Sequence, residues 1–264
     1  MRVSSSWLAL REPADAAARC AELVEHLPGT APWVVHDLGC GTGSMSRWLA
    51  PQLSGPQHWV LHDTDADLLE RATIDLPAVT AEPRVSDVTR LQPADLAGAT
   101  LITASALLDI LTAEELAALL AAGVRAGCPM LLTLSVVGHV ELAPADPLDR
   151  RVAAAFDAHQ RRGRLLGPGA VAAAAEELGR LGMEVLVRPS PWRLDAEHAG
   201  LAAEWFTGWV GAACEQQPEL AAETDAYAHR RLAQAAAGQL AVTVGHADLL
   251  ALPAQSSRNR GESA

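Results

Sequence analysis

Along the first half of the chain, short continuous apolar runs alternate with stretches whose apolar residues recur at helical intervals. Runs at residues 33–38 (WVVHDL), 58–63 (HWVLHD), up to about Val85, 99–108 (ATLITASALL) and 129–138 (PMLLTLSVVG) predict five strands. The fifth is almost wholly apolar, as expected of a strand covered on both faces of a parallel sheet. Helical spacing appears at 15–27, 44–53, 66–73 and 112–127. In the first of these, Ala18, Leu23, Val24 and Leu27 share a face, Glu22 and Glu25 turn away, and Pro28-Gly29 ends the helix. In the last, Thr112 is placed as N-cap and Glu115 as its capping-box partner. Strands alternating with helices imply right-handed crossovers and a doubly wound α/β sheet.

The rhythm breaks after Gly138. Residues 139–169 read as an insertion with one helical segment. A helix (170–181), a strand (184–188), two helical stretches (196–216 and 219–236) and a final strand (240–245) follow. The polar, small residues at 254–264 predict a disordered tail behind a single domain over 1–253.

Composition narrows the function. Half of the 264 residues are hydrophobic, enough for one large core. The formal net charge is −12, a field that repels nucleic acid and anionic membranes. All 20 basic residues are Arg. Cys20, Cys40, Cys128 and Cys214 form no CxxC pair and lie at no metal-ligand spacing to His, so no metal is expected and the thiols suit a reducing cytoplasm. The first ten residues lack the apolar stretch of a signal peptide, and no run approaches the ~18 residues of a membrane span. A soluble cytoplasmic protein is expected.

The chemistry concentrates at the strand ends. The first turn reads Asp37-Leu-Gly39-Cys-Gly41-Thr-Gly43. Glycines there let a ligand approach the backbone. A dinucleotide fingerprint would place its third glycine at position 44, which is Ser44, and Asp37 would repel a pyrophosphate. An acid at that place suits a cationic ligand such as S-adenosylmethionine. Asp63 ends the second strand about 20 residues on, where a carboxylate can accept ribose hydroxyls of either cofactor. Asp87 follows the third strand, where it can accept from an adenine amino group beside the apolar Val88. Each aspartate could instead be a helix cap or turn residue, and Asp65 reads as a cap.

Together, "VVHDLGCGTG", "HWVLHDTDADLLERA" and "RVSDVTRL" resemble the motifs of class I S-adenosylmethionine-dependent methyltransferases over residues 30–140. The resemblance implies a mostly parallel seven-stranded sheet with an antiparallel last strand and helices on both faces. It implies an N-terminal helical lid (1–30) over the cofactor and an active-site insertion (139–169). It places Asp37, Gly39, Cys40, Gly41 and Gly43 around the methionine part, Asp63 and Thr64 at the ribose, Asp87 and Val88 at the adenine, and Ala104 and Ser105 near the cofactor. The Arg- and Ala-rich composition fits an actinobacterial biosynthetic setting.

For the acceptor, His139 and Asp109 are the candidate general bases, at the ends of strands five and four. Trp7 and Arg11 in the N-terminal segment, His159, Gln160 and Arg161 in the insertion, and Trp192 and Arg193 after the sixth strand are candidate substrate contacts. They suggest an anionic or aromatic small-molecule acceptor. A solvated helix face is the plainer alternative for the insertion residues, and an exposed loop for His139. The expected assembly is a monomer or homodimer, with the apolar stretch at 205–213 as a possible contact. The competing functions are a nicotinamide-dependent oxidoreductase, a cofactor-binding protein of the same fold without catalysis and, further off, a nucleic-acid methyltransferase.

Overall fold

The computed structural model describes residues 3–29 and 31–254. The expected disordered tail, apart from Ala254, lies outside the described residues. Among these, the strands are Trp33–Leu38 (β1), Gln57–Asp63 (β2), Val79–Val85 (β3), Leu101–Ser105 (β4), Met130–Ala143 (β5), Met183–Pro189 (β6), Trp192–Leu194 (β7) and Ala241–Pro253 (β8). They lie in one sheet of order β3-β2-β1-β4-β5-β8-β6, with the short β7 also paired to β8. β1 to β5 are mutually parallel, and β8 runs antiparallel to β5, β6 and β7. The seven-stranded expectation with its antiparallel last strand therefore holds, and β7 is an addition to it. Strand order reverses between β1 and β4, which opens a crevice beyond their carboxyl ends.

Alternation along the strands divides the apolar residues between two cores. Ile102 and Leu132 pack toward Ala113–Ala126 (α5) and Ala170–Arg180 (α7), with Leu116, Leu120 and Leu178. Their neighbours Leu101 and Leu131 pack on the other face with Met45 and Leu49 of Ser44–Leu49 (α3), Trp59 and Leu23. α5 starts at the expected capping box: Thr112 Oγ1 accepts the Glu115 N–H (3.2 Å), and Glu115 Oε2 accepts the Thr112 N–H (2.8 Å). The helix predicted at 66–73 shortens to Ala66–Leu69 (α4), capped by Asp65.

Two expectations fail at the ends of elements. The first helix is Ser5–Ala18 (α1), starting at the Ser4 cap and running through Pro13, and the chain becomes helical again only at Glu22–Glu25 (α2). The single helix predicted at 15–27 is broken because Arg19 turns to extended ψ and Asp248 Oδ2 accepts the Cys20 N–H at 2.8 Å. The insertion likewise begins later than residue 139. β5 continues to Ala143 and pairs Val140–Ala143 with Ala241–Val244 of β8, which is itself much longer than the predicted 240–245. The outer part of this ribbon carries a third core. Asp149–Gln160 (α6), Ala199–Gln216 (α8) and Ala221–Ala236 (α9) bury Phe206, Trp209 and Tyr227 against Trp192, Leu142 and Val242. The apolar stretch at 205–213 is largely consumed here: Phe206, Trp209, Val210 and Ala213 are buried within the protein.

Candidate active site

β1, β2 and β4 end side by side, so Leu38, Asp63 and Ser105 reach the same edge of the sheet. The turn after β1 takes φ of 67°, 56° and 84° at Gly39, Gly41 and Gly43, a region L side chains rarely adopt. Asp63 fixes this turn. Its Oδ2 accepts the Gly41 N–H at 2.8 Å, and its Oδ1 accepts the Asp65 N–H at 2.9 Å. Leu8 of α1 and Leu107 after β4 lie against the glycines: a Cβ on Gly39 would sit 3.2 Å from Leu107, and one on Gly41 3.0 Å from Leu8.

Beside this turn opens a cavity of about 450 Å³, within the roughly 300–1,000 Å³ usual for small-molecule sites. Gly39, Gly41, Asp63, Thr64 and Asp65 line one wall. Ser86, Asp87, Val88 and Thr89 line the end beyond β3. The rest of the lining includes Val3, Trp7, Leu8 and Arg11 of the N-terminal segment, with Ser105, Leu107, Ile110, Leu111 and Glu115, and Leu8 and Leu107 pack against the glycine turn itself. Asp87 also caps a turn, since its Oδ1 accepts the Thr89 N–H (3.0 Å) and Oγ1–H (2.7 Å), which hold its carboxyl below the usual range. Capping and lining are compatible, because a carboxylate has about four acceptor sites.

Four residues expected at the cofactor stand behind this wall. Asp37 is fully buried; Thr103 donates to its Oδ1 at 2.8 Å, its Oδ2 has no partner, and burial pushes its pKa up to about 6. Cys40 is buried, which pushes its thiol up, and Ala104 lies inside the sheet. A Cβ on Gly43 would face Ser46, Arg47 and Ala72 instead of the cavity. His36 and His62 stack beneath β1 and β2 (Nδ1–Nε2 3.0 Å), and burial lowers both to about 4. His62 Nδ1 lies 2.9 Å from Ser86 Oγ, which ties the pair to the cavity lining.

Residues 35–127, which contain the glycine turn and all three strand-end aspartates, match the family model described as a methyltransferase domain. Over those residues the chain thus carries a methyltransferase domain. Among solved structures, the chain is similar in fold to the cyclopropane synthase MmaA2 from Mycobacterium tuberculosis, at 14% identity and a TM-score of 0.53, covering 93% of this chain and 94% of that one. A putative methyltransferase from Bacillus halodurans shares 14% identity at a TM-score of 0.49, covering 88% and 96%. Geranyl diphosphate C-methyltransferase from Streptomyces coelicolor shares 12% at 0.46, covering 87% and 74%. No curated protein matches the sequence.

The structure rearranges the residues expected to meet an acceptor. Trp7 and Arg11 line the cavity. Arg11, however, forms a two-point pair with Asp15 (2.9 and 3.1 Å), which leaves little free charge to attract an anion. Trp192 is buried beneath α1, where its Nε1–H donates to Asp15 Oδ1 at 2.9 Å, and Arg193 points to solvent. His139 is exposed on β5, 3.4 Å from Glu141, and is not part of the cavity lining. His159 packs against α8, its Nε2 3.1 Å from Glu215; Gln160 abuts Gly167, and Arg161 is exposed. The three project from the far end of α6 and do not converge on the cavity, because that helix belongs to the third core.

Asp109 stands between the lining residues Leu107 and Ile110; its Oδ1 is buried without a partner, and burial raises its carboxyl above the usual range. Sequence reasoning missed the leucines of the lining (Leu8, Leu107, Leu111) and the burial of Arg19. The leucines carry no chemical signature, and Arg19 follows a helix end like many surface arginines.

Proposed function

We propose that this methyltransferase acts on a small, largely apolar acceptor that enters between α1 and the Leu107–Leu111 segment. The observation that carries this reading is the composition of the cavity lining. Besides aspartates and glycines, Trp7, Leu8, Leu107, Ile110 and Leu111 give the lining a large apolar share. Bound along the polar wall, S-adenosylmethionine would supply an electrophilic methyl group on sulfur. Asp63 and Thr64 would hold its ribose, Asp87 and Val88 its adenine, and Gly39 and Gly41 would let it lie against the backbone. Orphaned Asp37 Oδ2, aimed at no protein donor, suits a cationic neighbour. The apolar residues would orient the acceptor and exclude water, from which most of the rate of such a displacement can come.

Asp109 is the proposed base for an acceptor that must lose a proton. Its raised pKa brings it closer to neutrality, as proton transfer at cellular pH prefers. Neither Asp109 nor His139 is itself among the lining residues, but Asp109 adjoins Ile110 of the lining, whereas His139 is exposed on β5 beside Glu141. An anionic acceptor is disfavoured by the Arg11–Asp15 pair. The cysteines are all free, in keeping with a reducing compartment. No helix among the described residues is long and apolar enough to cross a membrane.

Calorimetric titration with S-adenosylhomocysteine and with NAD tests the cofactor, and binding of NAD alone would overturn the reading. A screen of acceptors with isotopically labelled methyl donor tests the acceptor class: turnover confined to charged acceptors would sink the apolar assignment. With a turning-over acceptor, Asp109→Asn should lower kcat about 10²–10⁴-fold while cofactor affinity stays unchanged.

A further inference from the structure

Only one oxygen of the Glu115 carboxylate is used by the protein. Oε2 closes the α5 capping box, accepting the Thr112 N–H at 2.8 Å and the Thr112 Oγ1–H at 2.9 Å. Oε1 has no hydrogen-bond partner among the described residues, and no basic residue pairs with it. Arg164 pairs with the neighbouring Glu114 instead. Glu115 also lines the cavity. A capping box needs only an acceptor at this position and takes glutamine as readily as glutamate. The negative charge is therefore surplus to the helix cap, and it faces whatever occupies the cavity.

The rest of the cavity offers that charge no cation. Among the described residues, Arg11 is the one basic residue of the lining, and Asp15 takes its charge at 2.9 and 3.1 Å. Asp109, beside Ile110 of the lining, adds a second carboxylate with a buried, unpartnered oxygen, on which Arg11 acts only through space. Trp7 lines the cavity too, and its ring is tilted by 58° against Trp192, 6.4 Å away between centroids. The face of an indole attracts positive charge. Two carboxylates and an indole thus favour positive charge on an acceptor. They oppose negative charge, because a nearby like charge disfavours the anionic form of a hydroxyl.

We infer that the methyl acceptor is an uncharged aromatic nitrogen, in an aryl amine or an unprotonated N-heterocycle, and that Glu115 and Trp7 select it by stabilising the positive charge it acquires. The inference rests on the apolar-acceptor reading above and adds the accepting atom. The nitrogen lone pair forms the N–C bond as the S–C bond breaks, and the S–C electron pair stays on sulfur. Positive charge passes from sulfur to nitrogen. An N-heterocycle keeps that charge, and an aryl amine gives up one N–H proton to Asp109. A fixed carboxylate acts most strongly where charge develops in the transition state. An aliphatic amine is already protonated near neutrality and lacks the attacking lone pair. An aromatic ring also matches the leucines of the lining.

Three probes test the charge preference on protein loaded with S-adenosylhomocysteine. N-methylquinolinium and 1-methylnaphthalene share a shape and differ by one positive charge, and 1-naphthoate carries a negative one. N-methylquinolinium should bind about tenfold more tightly than 1-methylnaphthalene, with 1-naphthoate weakest. In Glu115→Gln that preference should fall to about threefold or less, while S-adenosylhomocysteine affinity and the denaturant midpoint stay unchanged, because glutamine keeps the cap. Trp7→Leu should lower the preference as well. With labelled methyl donor, quinolines and anilines should turn over and matched naphthols and phenols should not. Equal affinity for the cation and its neutral isostere overturns the inference without any variant, as does binding of none of the three. A preference unchanged in Glu115→Gln also overturns it. Turnover confined to uncharged hydroxyl acceptors removes the nitrogen assignment and leaves the apolar acceptor standing. Turnover confined to charged acceptors removes both, and failure of S-adenosylhomocysteine to bind removes the cofactor reading and the inference with it.

Discussion

The sheet's β1–β4 half and the helical cap over the outer β5–β8 ribbon are both well buried, yet they are built on opposite plans. In the β1–β4 half, polar groups gather at strand ends and several are left incomplete: Asp37 Oδ2, Arg19 Nε and Nη1, and nearby Asp109 Oδ1. In the cap, the main buried charge, Arg231, is held by a carboxylate within the protein, although its Nε, like Trp209 Nε1, has no partner. Arg231, 1% exposed, pairs both ways with Asp149 (2.7 and 2.7 Å) and donates to Pro144 O and Gln234 Oε1, while Tyr227 donates to Asp149 at 2.7 Å. A group satisfied inside the protein holds structure together; one left unsatisfied beside a cavity is available to a ligand. The difference lies in the ion pair: the cap's buried arginine has its carboxylate, whereas the proposed binding belongs to the strand ends, where Arg19 and Asp37 form no ion pair among the described residues.

The sharpest way to break this comparison is Asp149→Ala. Stranding Arg231 in the cap should cost about 3–5 kcal/mol in denaturant unfolding, while the variant that remains folded binds S-adenosylhomocysteine as before. An equal loss of affinity would show that the two regions are one functional unit. Asp63→Ala should do the reverse. It should weaken S-adenosylhomocysteine by about 1–3 kcal/mol in calorimetry, because it removes the proposed ribose acceptor and the anchor of the Gly41 N–H together.

A pH series sharpens the comparison further. His36, His62 and His246, lowered to about 4 by burial, bind fewer protons folded than unfolded. The stability they contribute is fully present above pH 6.5 and is lost as pH falls toward 4. Asp37, raised to about 6, acts in the opposite sense and adds stability as it takes up its proton. Replacing His36 and His62 by Gln should therefore flatten the acid limb by about 1.4 kcal/mol per pH unit for each proton no longer taken up on unfolding. An unchanged slope would mean that the pair titrates normally. The smallest expected effect is Thr112→Ala, which removes the α5 cap at a cost of about 1 kcal/mol in unfolding free energy from denaturant titration and leaves ligand binding unchanged.

The amino-acid sequence by itself settled what depends on neighbours along the chain. Strand runs, the α5 capping box and the need for glycine at 39, 41 and 43 are local demands of backbone geometry, and they place Asp63 and Asp87 at a common edge once the strands are parallel. Tertiary structure decided what depends on contacts between distant residues. It broke the first helix because Asp248 draws out the Cys20 N–H, 228 residues away. It turned the α6 cluster into packing for a separate core and Trp192 into a prop for α1. It also left Arg19, indistinguishable in sequence from any helix-end arginine, buried with two nitrogens unpartnered. Periodicity reports which face of an element is apolar, but only the assembled fold determines which polar groups lose water without gaining a partner.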